Sequence, residues 1–162
     1  MHRVRVQPRS RRSRRWILHH KGGCHRPAPA ATAAGVPRHF LIGALDEPYR
    51  RDNITAVFEA GRAAGALWAL STDPLQHGPL VDFDLMFDSI DGVLAARFSQ
   101  TPGAPLRAVA ITDGWLGDRS SGAISPYACF SSNRASASWL PSPESALDWQ
   151  RMAKGSAVVG GC

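Results

Sequence analysis

Phe40-Leu-Ile-Gly-Ala-Leu-Asp46 and Ala66-Leu-Trp-Ala-Leu70 are two short apolar runs some twenty residues apart, each followed by turn or loop residues. His39 to Ile42 reads as a short buried strand ended by Gly43, and Ala66 to Leu70 as a second strand, apolar throughout. Unbroken apolar character suits a parallel strand covered on both faces. Between them, Ile54, Val57, Phe58 and Gly61 fall at i, i+3, i+4 and i+7, the spacing of one helix face. Asp52 or Asn53 stands where a cap is needed, and Gly65 stands where such a helix stops. The expected unit is strand–helix–strand with a right-handed crossover.

Further along, Ser71-Thr-Asp-Pro-Leu-Gln-His-Gly-Pro79 reads as a loop, because two prolines and a glycine disfavour regular structure. Phe83, Met86, Phe87, Ile90, Val93 and Leu94 then form one apolar stripe, with Asp82, Asp84, Asp88 and Asp91 off it. The acids favour the first half of this helix and Arg97 closes it, as the helix dipole prefers. After Thr101-Pro-Gly103 the chain changes character. Leu106 to Ile111 reads as one more strand, and Asp113 to Ser138 is rich in Gly, Ser and aromatics, with Gly114-Trp-Leu-Gly117 at its head. A last helix opens at Pro141-Ser-Pro-Glu144, with Ser142 as cap and Pro143 at the first helical position. It runs to about Ala153 and closes at Gly155, leaving Ser156 to Cys162 frayed. The fold class is α/β: two or three strands with flanking helices.

Working outward in the other direction, residues 1–37 lack apolar periodicity and are expected to be a disordered basic tail. The formal charge of +6 belongs to that tail. Residues 1–26 hold eight Arg and one Lys with no acid, while the rest of the chain carries all 13 Asp and Glu and is mildly acidic. Three readings of the tail compete: an arm for nucleic acid or an anionic surface through counterion release, an organelle-targeting presequence, or an extension with no folded role. Trp16 is its one aromatic, so bases would have little to stack on. The last reading is preferred and nucleic acid is not expected as a partner. A non-enzymatic binding protein using the Arg-rich arm is the alternative function.

No apolar run reaches the roughly 18 residues a membrane helix needs. Cys24, Cys129 and Cys162 are widely spaced with no Cys-x-x-Cys pair, which argues against zinc. A Cys129–Cys162 disulfide is open to the chain in an oxidising compartment. No cofactor or metal is expected, since Asp113 and Asp118 beside Trp115 lack the Gly-spaced partners of a cation loop. Trp115, Trp139 and Trp149 read as packing residues in preference to a polymer-binding face.

The run from Phe40 to Asp46 resembles the acid turn of the α/β-hydrolase superfamily: apolar strand, Gly, two residues, Asp. Arg62-Ala-Ala-Gly-Ala-Leu-Trp68, a helix end leading into a Trp-bearing strand, is similar to bacterial esterases of the polyhydroxybutyrate-depolymerase and feruloyl-esterase type. The resemblance covers about 60 residues well, from Pro37 to about Phe98. It implies that residues 38–100 are the carboxyl-terminal strand–helix–strand–helix unit of such an enzyme, and that 101–162 are a Gly/Ser/Trp-rich extension. It further implies Asp46 as the acid that orients an imidazole, with Asp52 and Asp73 as rival acids, and His77 as general base. The substrate would be a small-molecule or polymer ester, and complete members are often secreted. The nucleophile is missing. No Gly-x-Ser-x-Gly occurs in the chain, and Ser120, Ser121 and Ser125 come after the histidine, in the wrong order for that family. The expectation is therefore a partial hydrolase, inactive alone, or one completed by a second chain that brings the serine.

Overall fold

A computed structural model describes residues 34–74 and 83–154. Its elements are β1 (Arg38–Gly43), α1 (Pro48–Ala63), β2 (Trp68–Asp73), α2 (Phe83–Arg97), β3 (Trp115–Gly117), β4 (Ile124–Pro126), β5 (Ser138–Leu140) and α3 (Pro143–Lys154). Short 3-10 turns at Ile111–Asp113 and Tyr127–Cys129 flank β3 and β4. β1 and β2 are parallel neighbours in register Arg38 to Trp68 through Gly43 to Asp73. β3 is the centre of an antiparallel sheet of order β4-β3-β5. Helices and strands are thus mixed, as expected of an α/β chain at that level.

α1 covers one face of the parallel pair. Phe58 and Ile54 meet Ile42, Ala66, Trp68 and Leu70, with Phe40 edge-on to Trp68 at 5.4 Å between ring centroids. The helix reaches the strand so closely because residue 61 is glycine: a Cβ there would stand 2.0 Å from the Trp68 ring. It ends in a Schellman motif, in which Ala66 N–H donates to Gly61 C=O at 2.9 Å and Gly65 N–H to Arg62 C=O at 2.9 Å. Gly65 sits at φ +80°, where a side chain is strained, so the chain stops where its glycine dictates.

The other face of the pair is covered by α2, α3 and the antiparallel sheet. Ala69 and Leu85 share one cluster with Ile124, Leu140, Ala146 and Trp149. Leu67 joins a second cluster with Leu116, Phe130, Ala137 and Trp139. Residues 83–154 therefore cover this face of β2. The strand is closed along its edge as well. Leu70 N–H donates to Ser138 Oγ at 3.0 Å, and Leu70 C=O accepts from Ser138 Oγ at 3.1 Å and from Trp149 Nε1 at 2.8 Å. Arg62 adds a second tie between the halves. Its buried guanidinium donates to the carbonyls of Ala66, Ala137 and Arg134. Burial pushes its pKa down to about 10, so it stays charged near neutrality.

Several boundaries differ from the sequence reading. α1 starts at Pro48, four residues before Asp52, because proline at the first helical position is pre-set in φ and loses no needed N–H. β2 is shifted to Trp68–Asp73: Ser71 is buried in the strand, its hydroxyl taken by a histidine instead of water. Residues 106–110 form no strand; Arg107 folds back on α2, its backbone N–H on Arg97 C=O and its guanidinium on Ala95 and Phe98. Ala34 already belongs to the fold, accepting Leu67 N–H at 3.0 Å. The last helix matches closely, with Ser145 N–H on Ser142 Oγ and Ser142 N–H on Ser145 Oγ. The antiparallel sheet was not foreseen. Residues 1–33 of the tail and the frayed end after Lys154 lie outside the described residues.

The α1–β2 contact makes a prediction with a definite sign. In an exposed helix, Gly→Ala stabilises by about 1 kcal/mol. Gly61→Ala is expected to destabilise by roughly 1–3 kcal/mol instead, because the new methyl overlaps the Trp68 ring. Urea denaturation of the full chain reads this directly, and a stabilised variant would refute the contact.

Candidate functional site

Parallel strands bring their carboxyl ends to one edge, and open α/β folds build their sites there. Gly43 is level with Asp73, and one further hydrogen bond, Ala44 N–H to Asp73 C=O at 2.7 Å, carries the ladder past the end of β1. A turn closed by Asp46 N–H on Gly43 C=O at 3.2 Å then presents Asp46. Its Oδ1 accepts the Glu47 N–H at 2.7 Å and faces Arg50 at 3.5 Å. These contacts fix the carboxylate at the head of α1. Oδ2 accepts no hydrogen bond from a described residue, leaving one lone-pair face for another donor. β2 ends at the same edge and leads into the segment that carries His77, which lies outside the described residues. Of the rival acids, Asp73 is the last residue of β2, beside Gly43, and Asp52 is an exposed residue of α1.

A second histidine, which the sequence reading placed in β1 and did not single out, is bonded through both ring nitrogens in the parallel half. His39 Nε2 lies 2.7 Å from Ser71 Oγ on β2, and Nδ1 lies 3.1 Å from Ser89 Oγ on α2. Burial lowers its pKa to about 4, so the ring is neutral near pH 7. Ser–His–Ser is a nucleophile–base pattern in outline, but the geometry makes it a lock. Ser71 is 2% exposed and closed to substrate. Ser89 sits inside a helix whose N–H groups are spent on their own backbone, so no donor pair faces a developing oxyanion. The signal was present in the sequence as a polar residue within an apolar strand.

Above this lock, β1, β2 and α2 bound an apolar cleft of about 390 Å³, lined by Leu41, Ala69, Met86, Ile90, Val93 and Trp139 among others. A polar hollow elsewhere contains Asp118, Ser120 and Asn133. The Ser120 hydroxyl, with backbone N–H groups of Ser120 and Ser121, holds the Asp118 carboxyl well below the usual range. Asp113 likewise accepts Ala110 N–H. Both acids are occupied by their own loops. Among the described residues, no three His, Cys, Asp or Glu side chains converge on a metal position. Trp139 and Trp149 are buried and bond the carbonyls of Ile111 and Leu70. Cys129 is disulfide-bonded, and its partner lies outside the described residues. No helix among the described residues is long and apolar enough to cross a membrane.

No protein-family model, curated protein or solved structure matches the chain.

The lock gives stability a pH dependence of known sign. The fold holds His39 neutral down to about pH 4, whereas the unfolded chain takes up a proton near pH 6.5. Stability from this group is therefore complete above pH 6.5 and falls as the pH drops through 6.5 towards 4, by at most about 3 kcal/mol. His39→Gln, compared with the parent chain by urea titration from pH 7 to pH 4.5, is expected to flatten that fall. An unchanged slope would remove His39 as its cause.

Proposed function

We propose that this chain is the carboxyl-terminal part of a serine esterase-type α/β-hydrolase that cleaves carboxylic esters, small or polymeric. Asp46 is its acid and His77 its base, and the nucleophile comes from another polypeptide segment. The observation that carries this reading is the level end of two parallel strands. One hands over to Asp46, the other to the segment holding His77, at a single edge of the sheet.

The chemistry follows from the roles. His77 takes the proton from an attacking serine hydroxyl as its oxygen bonds to the ester carbonyl carbon. It returns that proton to the departing alcohol, leaving an acyl-enzyme, and repeats the sequence with water. Asp46 keeps the imidazole in the tautomer whose free nitrogen faces the serine, and it stabilises the imidazolium once formed. Its Oδ1 is held by the Glu47 N–H, so Oδ2 is the oxygen left for that role. Donors for the tetrahedral oxyanion would come with the nucleophile, from the N–H after the serine and from a preceding loop.

A fluorophosphonate serine probe and a p-nitrophenyl ester assay test the assignment. The chain alone is expected to be unlabelled and inactive. Fused behind the polypeptide encoded upstream of it, it should hydrolyse the ester. His77→Ala should then lower kcat by about 10³-fold or more, and Asp46→Asn by about 10²- to 10⁴-fold. Labelling of the chain alone, or an active fusion indifferent to both substitutions, would defeat the proposal.

A further inference from the structure

The parallel pair has two edges, and the fold treats them differently. At β2 the outward-facing peptide of Leu70 is closed by Ser138 and Trp149. At β1 the residues facing β2 are Arg38, Phe40 and Ile42, as the bond from Arg38 N–H to Leu67 C=O shows. His39, Leu41 and Gly43 therefore turn their N–H groups outward, and none of these donates to a described residue. In β1 Arg38 is exposed and His39, Phe40 and Leu41 stay half-buried, with only Ile42 and Gly43 buried, whereas the residues of β2 from Trp68 to Ser71 are fully covered.

α2 adds the second observation. Leu85 is its buried residue, Ser89 turns inward to His39, and Gly92 packs against Pro141 and Ser142. The stripe read from the sequence lies largely away from that side. Phe83, Phe87, Ile90 and Leu94 are 61%, 55%, 45% and 44% exposed, and Phe98 beyond the helix is 57% exposed. Ile90 and Leu94 also line the apolar cleft that β1 bounds, so stripe, cleft and strand edge are continuous. Soluble chains rarely leave so much apolar surface together without a use for it.

We propose that this edge and helix face form the contact between two copies of the chain. Among the described residues the N–H groups of His39, Leu41 and Gly43 and the C=O groups of His39 and Leu41 have no backbone partner at this edge, and such a row selects an extended polypeptide over a small molecule. Lipid is disfavoured, since Asp84, Asp88 and Asp91 share the helix with the stripe and would be repelled by an anionic surface. A two-fold axis normal to the sheet sets β1 antiparallel to its mate, giving strand order β2-β1-β1-β2 and bringing both α2 helices to one side. Charge fits that arrangement. Arg38 stands exposed at the amino end of β1, and the Asp46–Glu47 turn follows its carboxyl end, so antiparallel pairing sets the basic end of each copy towards the acidic end of the other. The contact is argued without the hydrolase reading, and a serine-bearing strand added beside β1 would compete with the second copy for the same edge.

Sedimentation of the full chain from about 1 μM to about 1 mM is expected to show a monomer–dimer equilibrium. Ile90→Glu, at a half-exposed position that need not disturb folding, should raise the dissociation constant at least tenfold. Arg38→Glu and Glu47→Arg should each weaken the dimer, and an equal mixture of those two variants should restore it, because each then meets its opposite charge. Amide exchange at His39, Leu41 and Gly43 should be slower in the parent than in Ile90→Glu. A monomer throughout, a dimer indifferent to these substitutions, binding to phosphatidylcholine vesicles without dimerisation, or a mixture no tighter than its components would each overturn the proposal. None of these outcomes depends on ester hydrolysis.

Discussion

The structure turns on one peptide group, that of Leu70. A two-stranded parallel sheet is a poor structure by itself, because each strand must hide two faces and one edge. Here the Ser138 hydroxyl stands in for a third strand, accepting from Leu70 N–H and donating to Leu70 C=O, while the Trp149 indole fills the other lone pair of that carbonyl. All three groups are buried, so leaving any of them unpaired carries the full desolvation cost of a polar group. The antiparallel half is thereby fastened to the parallel half through side chains, without a continuous ladder.

Other ties reinforce the same junction. Arg62, at the end of α1, spans from its own turn to the carbonyls of Arg134 and Ala137. A buried cation is costly to desolvate, and here each of the three guanidinium nitrogens donates to a carbonyl, which offsets that cost. Gly61 lets α1 lie against Trp68, and the same face of β2 then receives Phe58. On the opposite face His39 joins β1, β2 and α2 through two serine hydroxyls. β2 is thus fixed from each side by a different chemistry. β1 is held on both faces as well, by α1 through Phe40 and Ile42 and by α2 through His39, but among the described residues only its edge towards β2 is paired.

Much of the parallel half was legible in the sequence, because its signals are local. Gly65 ended α1 by its φ, Ser142 and Pro143 opened α3, and the 3.6-residue period marked α2. Where local signals competed, position was lost: Pro48 began α1 ahead of the more familiar Asp-Asn pair. The antiparallel sheet was illegible, since strands of three residues carry no readable alternation and are stabilised by contacts from distant elements. The stripe on α2 was read as a stripe, but sequence does not say whether such a face is covered. At the candidate site, a strand followed by turn chemistry placed Asp46 just past the end of β1, and the structure has it in that turn. His39 was passed over because a polar residue in an apolar strand reveals its role only when Ser71 and Ser89, 32 and 50 residues away, close on it.

Ser138 and Trp149 join the two halves at Leu70, and Ser138→Ala with amide exchange followed residue by residue probes that junction. Stability is expected to fall by about 1–3 kcal/mol, with Leu70 N–H moving from among the slowest amides to exchange well ahead of Phe40 and Ile42. Protection at Leu70 unchanged from the parent chain, with stability altered by less than about 0.5 kcal/mol, would contradict it.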